Sequence, residues 1–357
     1  EHGGMSDKLV VIAKKLVGAY KGGLGLVTVV ACMFFAAMSG SGPATVAAIG
    51  SIMIPAMIRN GYSPPFAGAV ASTGGTLGIM IPPSNPMIIY AVVANVSVTG
   101  MFTAGIIPGL LVGFVLILSS WWICKQKGFV GTSKVSSTYD VLVSIKDARW
   151  ALLAPVVILG GIYSGIFTPT EASVVAVNYA LFIGLFLYRE LDWNKIYAAI
   201  LQAVIVGGTV TVMVGLAGSF GRILTQFQIP QQLSQYILDI SLHWFLVLMI
   251  INIALIIIGT FMETLATIIL LTPLLLPVVT ALGISPIHFG ILIVITSEIG
   301  FLTPPLGANL FVAMPIAKVT LEQISRAVFY FIGILFLMVI ILTAIPGLST
   351  WLPKILN

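Results

Sequence analysis

The chain has 357 residues, of which 59% are hydrophobic and 8% are charged, and its net charge is +5. Soluble domains carry about 25% charged residues, and a mean hydropathy of +1.13 leaves too few charges to cover the apolar surface of a soluble globule. Uncharged stretches such as 60–124 and 264–297 are longer than the roughly 20 apolar residues of a membrane-spanning helix, so the sequence predicts an all-α polytopic membrane protein.

The first predicted elements are an amphipathic arm, 1–22, and a re-entrant hairpin after it. Basic residues on both sides of 22–58, including Arg59, place both ends of this stretch in the cytoplasm. Glycine, serine and proline interrupt it at 38–43, where a helix interior disfavours them. Each arm of about 15 residues reaches roughly 22 Å, less than the hydrocarbon layer of about 30 Å. A single kinked span is the alternative, but it would place Arg59 outside.

Further apolar segments follow in chain order. A second hairpin is predicted at 243–282, interrupted at 259–264, with no basic residue at either end, as expected for a hairpin that enters from the outer side. Residues 222–240 have the amphipathic composition of an interfacial helix. The predicted crossings are 64–96 (interrupted at 78–83), 105–124, 151–167, 173–188, 196–217, 286–317 (interrupted at 300–305) and 327–350.

The two segments that contain hairpins match each other at a constant offset of 222 residues. Ala44-Thr45 corresponds to Ala266-Thr267, Gly-x-Ser-Pro at 61–64 recurs at 283–286, and Gly-x-x-x-Pro-Pro at 78–83 recurs at 300–305. An odd number of crossings separates the hairpins, so the second segment is predicted to be inverted relative to the first. Inverted repeats with interrupted helices are typical of secondary transporters.

This repeat predicts a division of the chain into transport units and scaffold. The predicted parts are the cytoplasmic-side arm 1–22, the first transport unit 23–104, the scaffold helices 105–217 with a cytoplasmic loop at 125–150, an interfacial arm 218–242, the second, inverted transport unit 243–326 and a C-terminal scaffold helix 327–357.

The interrupted helices supply the candidate binding groups. Helix N-termini at membrane depth favour anions, whereas unwound carbonyls and hydroxyls favour a small cation such as Na⁺. The first predicted Na⁺ site comprises Ser39, Ser41, Gly42, Thr76 and Gly78, and its inverted counterpart comprises Thr260, Thr264, Glu298, Gly300 and Thr303. The residues predicted to contact an anionic substrate are Ser41, Pro43, Asn85, Thr264 and Asn309. Asn85 and Asn309 are equally well placed to cap helices.

Two carboxylates, Glu263 and Glu298, lie within the second transport unit. A charge at membrane depth costs about 2.5–3.5 kcal/mol on insertion scales, so each side chain is expected to face a polar interior. For Glu298 a supporting role at the ion site is favoured. Glu263 is equally compatible with a titrating or ligating group and with a structural hydrogen bond to unwound backbone. Glu171 is predicted to cap the helix that follows it.

Other classes of function lack their characteristic residues. The two cysteines and three histidines show no metal-ligand spacing, and no P-loop motif indicates direct use of ATP. The basic residues are explained by orientation in the membrane rather than by binding of nucleic acid. We expect neither an enzyme nor a cofactor beyond Na⁺ as coupling ion; a channel or an intramembrane enzyme is the weaker alternative. The chain begins at Glu1, and it is expected to be N-terminally incomplete.

Several of these motifs resemble landmarks of one known family, the large (M, DctM-type) membrane subunit of tripartite ATP-independent periplasmic (TRAP) transporters. They are Ser39-Gly40-Ser41, Ile81-Pro82-Pro83-Ser84, the segment 165–171 and the segment 298–311 with its Thr303-Pro304-Pro305-Leu306-Gly307 core. The resemblance extends over essentially the whole chain. Family members usually carry further membrane segments ahead of the position of Glu1.

The resemblance implies a fold of the ion-transporter superfamily and an elevator mechanism in the bacterial inner membrane. It also implies Na⁺-driven import of a small organic acid, sialic acid or a C4-dicarboxylate, with a small four-helix (Q-type) membrane subunit and a periplasmic substrate-binding protein as partners. By this similarity the fixed scaffold would include 105–124, 151–188, 196–217 and 327–350. A stand-alone Na⁺/carboxylate symporter or antiporter is the alternative, and the sequence leaves the cargo open.

Overall fold

The computed structural model describes residues 5–129, 137–239 and 243–356, and every regular element within these ranges is a helix. Six of the described helices are long and apolar enough to cross a bilayer, or seven if the bent pair Pro64–Met80 and Asn85–Val93 counts as one span. The prediction of an all-helical polytopic membrane protein is therefore confirmed.

The helices are α1 (Met5–Val17), α2 (Gly23–Ser39), α3 (Gly42–Arg59), α4 (Pro64–Gly75), α5 (Leu77–Met80), α6 (Asn85–Val93), α7 (Val98–Gln126), α8 (Thr138–Asp147), α9 (Arg149–Tyr163), α10 (Pro169–Phe182), α11 (Trp193–Gln226), α12 (Ile229–Asp239), α13 (Trp244–Gly259), α14 (Thr264–Ala281), α15 (Pro286–Phe301), α16 (Ala308–Ala317), α17 (Leu321–Ala344) and α18 (Gly347–Leu356). A π-helical turn, Ile183–Leu187, continues α10.

Four interruptions overlap the predicted ones, although residues 78–80 are helical and the second and fourth interruptions in chain order extend to residues 84 and 307. Gly40 and Ser41 separate α2 from α3, with Gly40 in the left-handed region at φ 62°, and residues 260–263 separate α13 from α14. The interruption between α5 and α6 contains the cis peptide Pro82-Pro83, and that between α15 and α16 contains the cis peptide Pro304-Pro305. The bounds of α3 and α14 and the two cis peptides match at an offset of 222, whereas the bounds of α2 and α13 and of α6 and α16 differ from that offset by one or two residues.

Glu171 confirms the prediction of a capping role at the start of α10. Its carboxylate accepts hydrogen bonds from the backbone N–H of Thr168 (2.8 Å) and from the Thr168 hydroxyl (2.9 Å). The Thr168 hydroxyl in turn accepts a hydrogen bond from the backbone N–H of Glu171. The backbone N–H groups of Thr168 and Glu171, which have no carbonyl partner at the start of a helix, are both hydrogen-bonded in this reciprocal way.

Some predicted boundaries differ from the observed ones. The predicted interfacial segment 222–240 contains the end of α11, which continues through Arg222 to Gln226, and the separate helix α12. Residue 240 lies outside the described residues. The predicted loop 125–150 contains a capped helix, α8, while residues 130–136 of this loop lie outside the described residues. Likewise α17 ends at Ala344, and a separate α18 follows it.

The chain forms two compact units. The first comprises the described residues of Glu1–Ser84, Gly109–Asp192 and Gly307–Leu335, and the second those of Asn85–Pro108, Trp193–Leu306 and Phe336–Asn357. In the first unit α3 packs against α2 and α4, and α16 packs against α3 and α4. In the second unit α15 packs against α13 and α14, and α6 packs against α14. The two halves of each interrupted helix therefore belong to different units.

Candidate functional site

The first candidate site is the tip of the hairpin formed by α2 and α3. The Ser39 hydroxyl donates a hydrogen bond to the Ser41 carbonyl oxygen (2.9 Å) and lies 3.0 Å from the Thr45 hydroxyl. The Thr45 hydroxyl also donates to the Ser41 carbonyl oxygen (2.8 Å). Three uncharged oxygens thus lie within hydrogen-bond distance of one another at unwound backbone. Thr45 is fully buried, whereas Ser39 and Ser41 are half-buried.

The junction of α4 and α5 closes this tip from one side. Gly78 approaches so closely that a methyl group there would collide with the Ser41 carbonyl oxygen and the Thr45 hydroxyl. A methyl group on Gly75 would lie 3.1 Å from the Gly42 carbonyl oxygen. Only glycine allows the backbone of one helix to approach another this closely. Glycines at these two positions therefore place peptide groups of α4 and α5 directly against the tip.

The structure brings together four of the five residues predicted for the first ion site. Ser39, Ser41, Gly42 and Gly78 meet at the tip, as just described. The fifth, Thr76, is buried between α4 and α5, where its hydroxyl donates to the Thr73 carbonyl oxygen (2.7 Å). Sequence reasoning missed Thr45 as a site residue. The sequence does contain an indication of it, because Thr45 and Thr267 are separated by the 222 residues that relate the two repeats.

The second candidate site is the tip between α13 and α14, and its cap is a carboxylate. Glu263 Oε2 accepts hydrogen bonds from the backbone N–H groups of Leu265 (2.8 Å) and Ala266 (3.2 Å). Thr267 donates its hydroxyl to the Glu263 carbonyl oxygen (3.1 Å), the same contact that Thr45 makes with Ser41. In the structure, Glu263 therefore caps the first turn of α14.

The interruption between α15 and α16 lies against this second tip. The Leu306 N–H donates to the Thr260 carbonyl oxygen (2.9 Å), and a methyl group on Gly300 would collide with the backbone of Gly259. Thr260 follows the end of α13 and Thr303 follows the end of α15, and their hydroxyls donate to the carbonyl oxygens of Ile257 and Ile299 in those helices. Each hydroxyl therefore presents only lone pairs to any further partner, which suits a cation.

Two further predicted residues of the second site are buried. The Glu298 side chain is 1% exposed in α15, two residues before Gly300. Thr264 is 2% exposed at the first position of α14, and its hydroxyl oxygen is buried without a hydrogen-bond partner. A buried hydroxyl without a partner is costly, so Thr264 is a candidate to contact a bound group.

The residues predicted to contact substrate lie in both compact units. In the first unit Ser41 caps α3, Pro43 lies in its first turn, and Asn309 is fully buried with its amide nitrogen near Gly75. In the second unit Asn85 is exposed at the start of α6, and Thr264 is buried. Asn309 also bonds with Ser72, a residue that sequence reasoning did not single out.

Comparison with known proteins agrees with this architecture. The family described as the DctM component of tripartite ATP-independent periplasmic transporters matches residues 1–348. The chain is 44% identical to the isethionate TRAP transporter permease protein DctMQ of Oleidesulfovibrio alaskensis, covering 97% of this chain and 54% of that protein. It is 40% identical to the C4-dicarboxylate large permease protein DctM and 38% identical to the sialic acid large permease protein SiaM, both of Vibrio cholerae, each covering 99% of this chain and 82% of that protein.

Apolar helices interrupted by unwound, hydroxyl-lined backbone define a multi-pass membrane protein of the transporter class. Within that class the chain belongs to the DctM component family of tripartite ATP-independent periplasmic transporters. It spans about half the length of the isethionate permease and 82% of the two Vibrio cholerae permeases.

Proposed function

We propose that the chain is the permease subunit of a TRAP transporter and imports a small organic acid together with Na⁺. Membership of the DctM family supports the transport role. The relatives are named for isethionate, C4-dicarboxylates, sialic acid and 2,3-diketo-L-gulonate. These molecules are all organic anions, and the cargo we propose belongs to the sialic acid or C4-dicarboxylate class.

The observation that carries the Na⁺ part of this proposal is the oxygen cluster at the first tip. The Ser39 and Thr45 hydroxyls and the Ser41 carbonyl lie 2.8–3.0 Å apart. Unwound carbonyls and hydroxyls are the usual ligands of coupling cations in transporters with interrupted helices. A bound Na⁺ would replace the hydrogen bonds among these oxygens, and both hydroxyl protons would turn away from the ion. Gly42, Thr76 and Gly78 complete this site in our proposal.

A second Na⁺ is proposed at the other tip, with Thr260, Thr264, Glu298, Gly300 and Thr303 as its surroundings. The buried Thr264 hydroxyl and the lone pairs of Thr260 and Thr303 support it. The Glu298 carboxylate supplies a negative charge in the same helix as Gly300. A cation beside it offsets the cost of holding that charge at membrane depth.

The anionic cargo is proposed to contact Ser41, Pro43, Asn85, Thr264 and Asn309. The N-terminus of α3 supports a carboxylate contact, because its first N–H groups and the helix dipole both favour negative charge. Ser41 satisfies that terminus only through a long hydrogen bond from the Ala44 N–H (3.5 Å). A carboxylate oxygen is a stronger acceptor for such N–H groups than a hydroxyl.

We propose a periplasmic substrate-binding protein and a small Q-type membrane subunit as partners in a bacterial inner membrane. Family membership and the fused name DctMQ of one relative support this assembly. The repeat of interruptions at an offset of 222 supports inverted transport units, 23–104 and 243–326, that move as an elevator.

The contacts of α7 refine this movement. The sequence assigns 105–124 to the scaffold, with 151–188, 196–217 and 327–350. However, Gly22 lies against Cys124 near the C-terminal end of α7, and Gly113 in the middle of α7 lies against Met33, so the C-terminal half of α7 contacts the first hairpin. The Gly22 N–H also donates to the Phe129 carbonyl oxygen (3.0 Å). These contacts support movement of α7 together with the hairpin.

Uptake by reconstituted protein tests this function. The chain with its small subunit is placed in proteoliposomes, and a panel of labelled organic acids is offered with and without a Na⁺ gradient and the periplasmic binding protein. We expect accumulation of one class of acid only when both are present. Na⁺-driven uptake without the binding protein would favour the stand-alone symporter, and a Na⁺ current without cargo would favour a channel.

A further inference from the structure

An apolar cavity lies inside the first compact unit, apart from the oxygen cluster at the tip. Its volume is about 210 Å³, and all ten residues that line it are apolar. They come from α1 (Leu9), from α2 up to Met38, from Ile81, from α7 (Leu110) and from α9, including Ala151. Apolar cavities of about 150 Å³ stay dry and bind small hydrocarbons, so this one is suited to hydrocarbon rather than to water.

The size of the cavity restricts what fills it. Leu110, which lines the cavity, is 51% exposed, so the cavity is open towards the surroundings of α7. An α-helix with its side chains is about 10 Å across, too wide for a cavity of this volume. Around a membrane protein, the flexible hydrocarbon that fits is a lipid acyl chain, and each buried CH₂ group contributes about 0.8 kcal/mol.

Exposed cations lie beside two of the segments that supply lining residues, α1 and α9. Lys8 is exposed next to Leu9, and Arg149 is exposed two residues before Ala151. Helix α1 packs against both α8 and α9, and an Arg149 guanidinium nitrogen donates to the Lys146 carbonyl oxygen (3.3 Å). The exposed or half-exposed charged residues on α1, α8 and the first turn of α9 are the cations Lys8, Lys14, Lys15, Lys146 and Arg149 and the acids Asp7, Asp140 and Asp147. This excess of positive charge is complementary to an anionic headgroup.

We propose that the cavity binds one acyl chain of an anionic phospholipid of the cytoplasmic leaflet and that Lys8 and Arg149 hold its headgroup. The cytoplasmic side follows from the basic character of these segments, and basic pockets between membrane helices on that side bind anionic lipids. Arg149 lies over the Trp150 ring at 5.1 Å, which orients its guanidinium at the depth where tryptophan prefers to lie.

The bound acyl chain contacts residues next to the hairpin tip of the proposed transport site. Met38 directly precedes Ser39 of the tip, and Ile81 directly precedes the cis peptide Pro82-Pro83. Both residues line the cavity. The lipid therefore fills space next to two of the interruptions, although its binding does not depend on the proposed cargo or on Na⁺.

Native mass spectrometry of the purified chain with its small subunit tests the acyl-chain site. Phosphatidylglycerol and phosphatidylcholine with identical acyl chains are each titrated into the Leu110→Trp variant, in which the tryptophan side chain fills the mouth of the cavity. Leu118→Trp is the matched control, since Leu118 is 46% exposed on the same helix and does not line the cavity. We expect Leu110→Trp to lose one tightly held phosphatidylglycerol that the control retains. Equal retention by both variants would overturn the site.

Charge removal tests the headgroup contact. Lys8→Gln with Arg149→Gln is compared with Lys21→Gln and Lys125→Gln, two exposed lysines elsewhere on the cytoplasmic side. We expect the affinity for phosphatidylglycerol to fall about fivefold for each cation removed, the ratio that corresponds to about 1 kcal/mol per charge, while the control pair keeps wild-type affinity. Equal affinity of the wild type for the two lipids, or release of the lipid when more small subunit is added, would overturn the proposal.

Discussion

Ser72 and Asn309 form a reciprocal pair of hydrogen bonds between α4 and α16, although 237 residues separate them. The Ser72 hydroxyl donates to the Asn309 carbonyl oxygen (3.2 Å), and the Asn309 amide donates to the Ser72 carbonyl oxygen (3.4 Å). Both side chains are fully buried. Helix α16, which follows the interruption at 302–307, is thus hydrogen-bonded to α4, which precedes the interruption at 81–84.

Replacing Asn309 with alanine is expected to destabilise the protein. The change leaves the buried Ser72 carbonyl without its amide donor, which costs about 1–3 kcal/mol. Thermal unfolding in detergent measures the loss, and Asn85→Ala is the control because Asn85 is exposed. Equal thermal stability of the two variants, with a changed cargo preference in Asn309→Ala alone, would instead favour direct contact of Asn309 with substrate.

Replacing Thr45 with valine is expected to weaken Na⁺-dependent uptake. Valine keeps the shape of threonine but removes the oxygen that lies 3.0 Å from the Ser39 hydroxyl and 2.8 Å from the Ser41 carbonyl. Loss of one ligand in a polar site costs about 1–3 kcal/mol, so the Na⁺ concentration for half-maximal uptake should rise about fivefold or more.

Thr28→Val is the matched control for that measurement. Thr28 is also a fully buried threonine of the same hairpin, and its hydroxyl donates to the Leu24 carbonyl oxygen (2.8 Å) far from the tip. Its loss should lower stability without moving the Na⁺ dependence. An equal shift in both variants would mean that the hairpin, and not the oxygen cluster, determines the response to Na⁺.

The close approach of helices at each tip gives a further prediction. Alanine at Gly78 would collide with Ser41 and Thr45, and alanine at Gly300 would collide with the backbone of Gly259. Overpacking of this kind costs about 1–3 kcal/mol, and it displaces the tips. Both variants should therefore lose stability and uptake, as judged by thermal unfolding and labelled substrate. Gly333→Ala, which meets no atom within 4 Å, should retain both.

The sequence predicts the interruptions well because their cause is local. Glycine and proline at 38–43 and 78–83 disfavour helix wherever the chain places them, and the structure has unwound residues inside both ranges. The predicted boundary at 222 differs from the end of α11 because a single charged residue is a weak local signal. Arg222 looked like the start of a polar interfacial segment, but a helix accommodates one arginine near its end without interruption, and α11 continues to Gln226.

The contacts between distant residues were beyond sequence reasoning. Thr45 becomes a site residue only because α3 begins at Gly42 and turns its hydroxyl back to the Ser41 carbonyl. The pairing of Ser72 with Asn309 depends on the packing of α16 against α4, which no local pattern indicates. Pattern and propensity describe single elements, whereas these contacts are set by how elements pack.

The two glutamates of the proposed second transport unit are expected to respond differently to removal of charge. Glu263 caps α14 through Oε2, so Glu263→Gln keeps an acceptor oxygen and should retain most stability, while Glu263→Ala should lose about 1 kcal/mol.

Glu298 is buried and lies two residues before Gly300, so Glu298→Gln removes a charge that a cation at the second tip would neutralise. The Na⁺ or pH dependence of uptake should therefore shift in Glu298→Gln. If that profile matches the wild type while thermal stability falls, Glu298 has a structural role and the proposed second ion site must be placed without it.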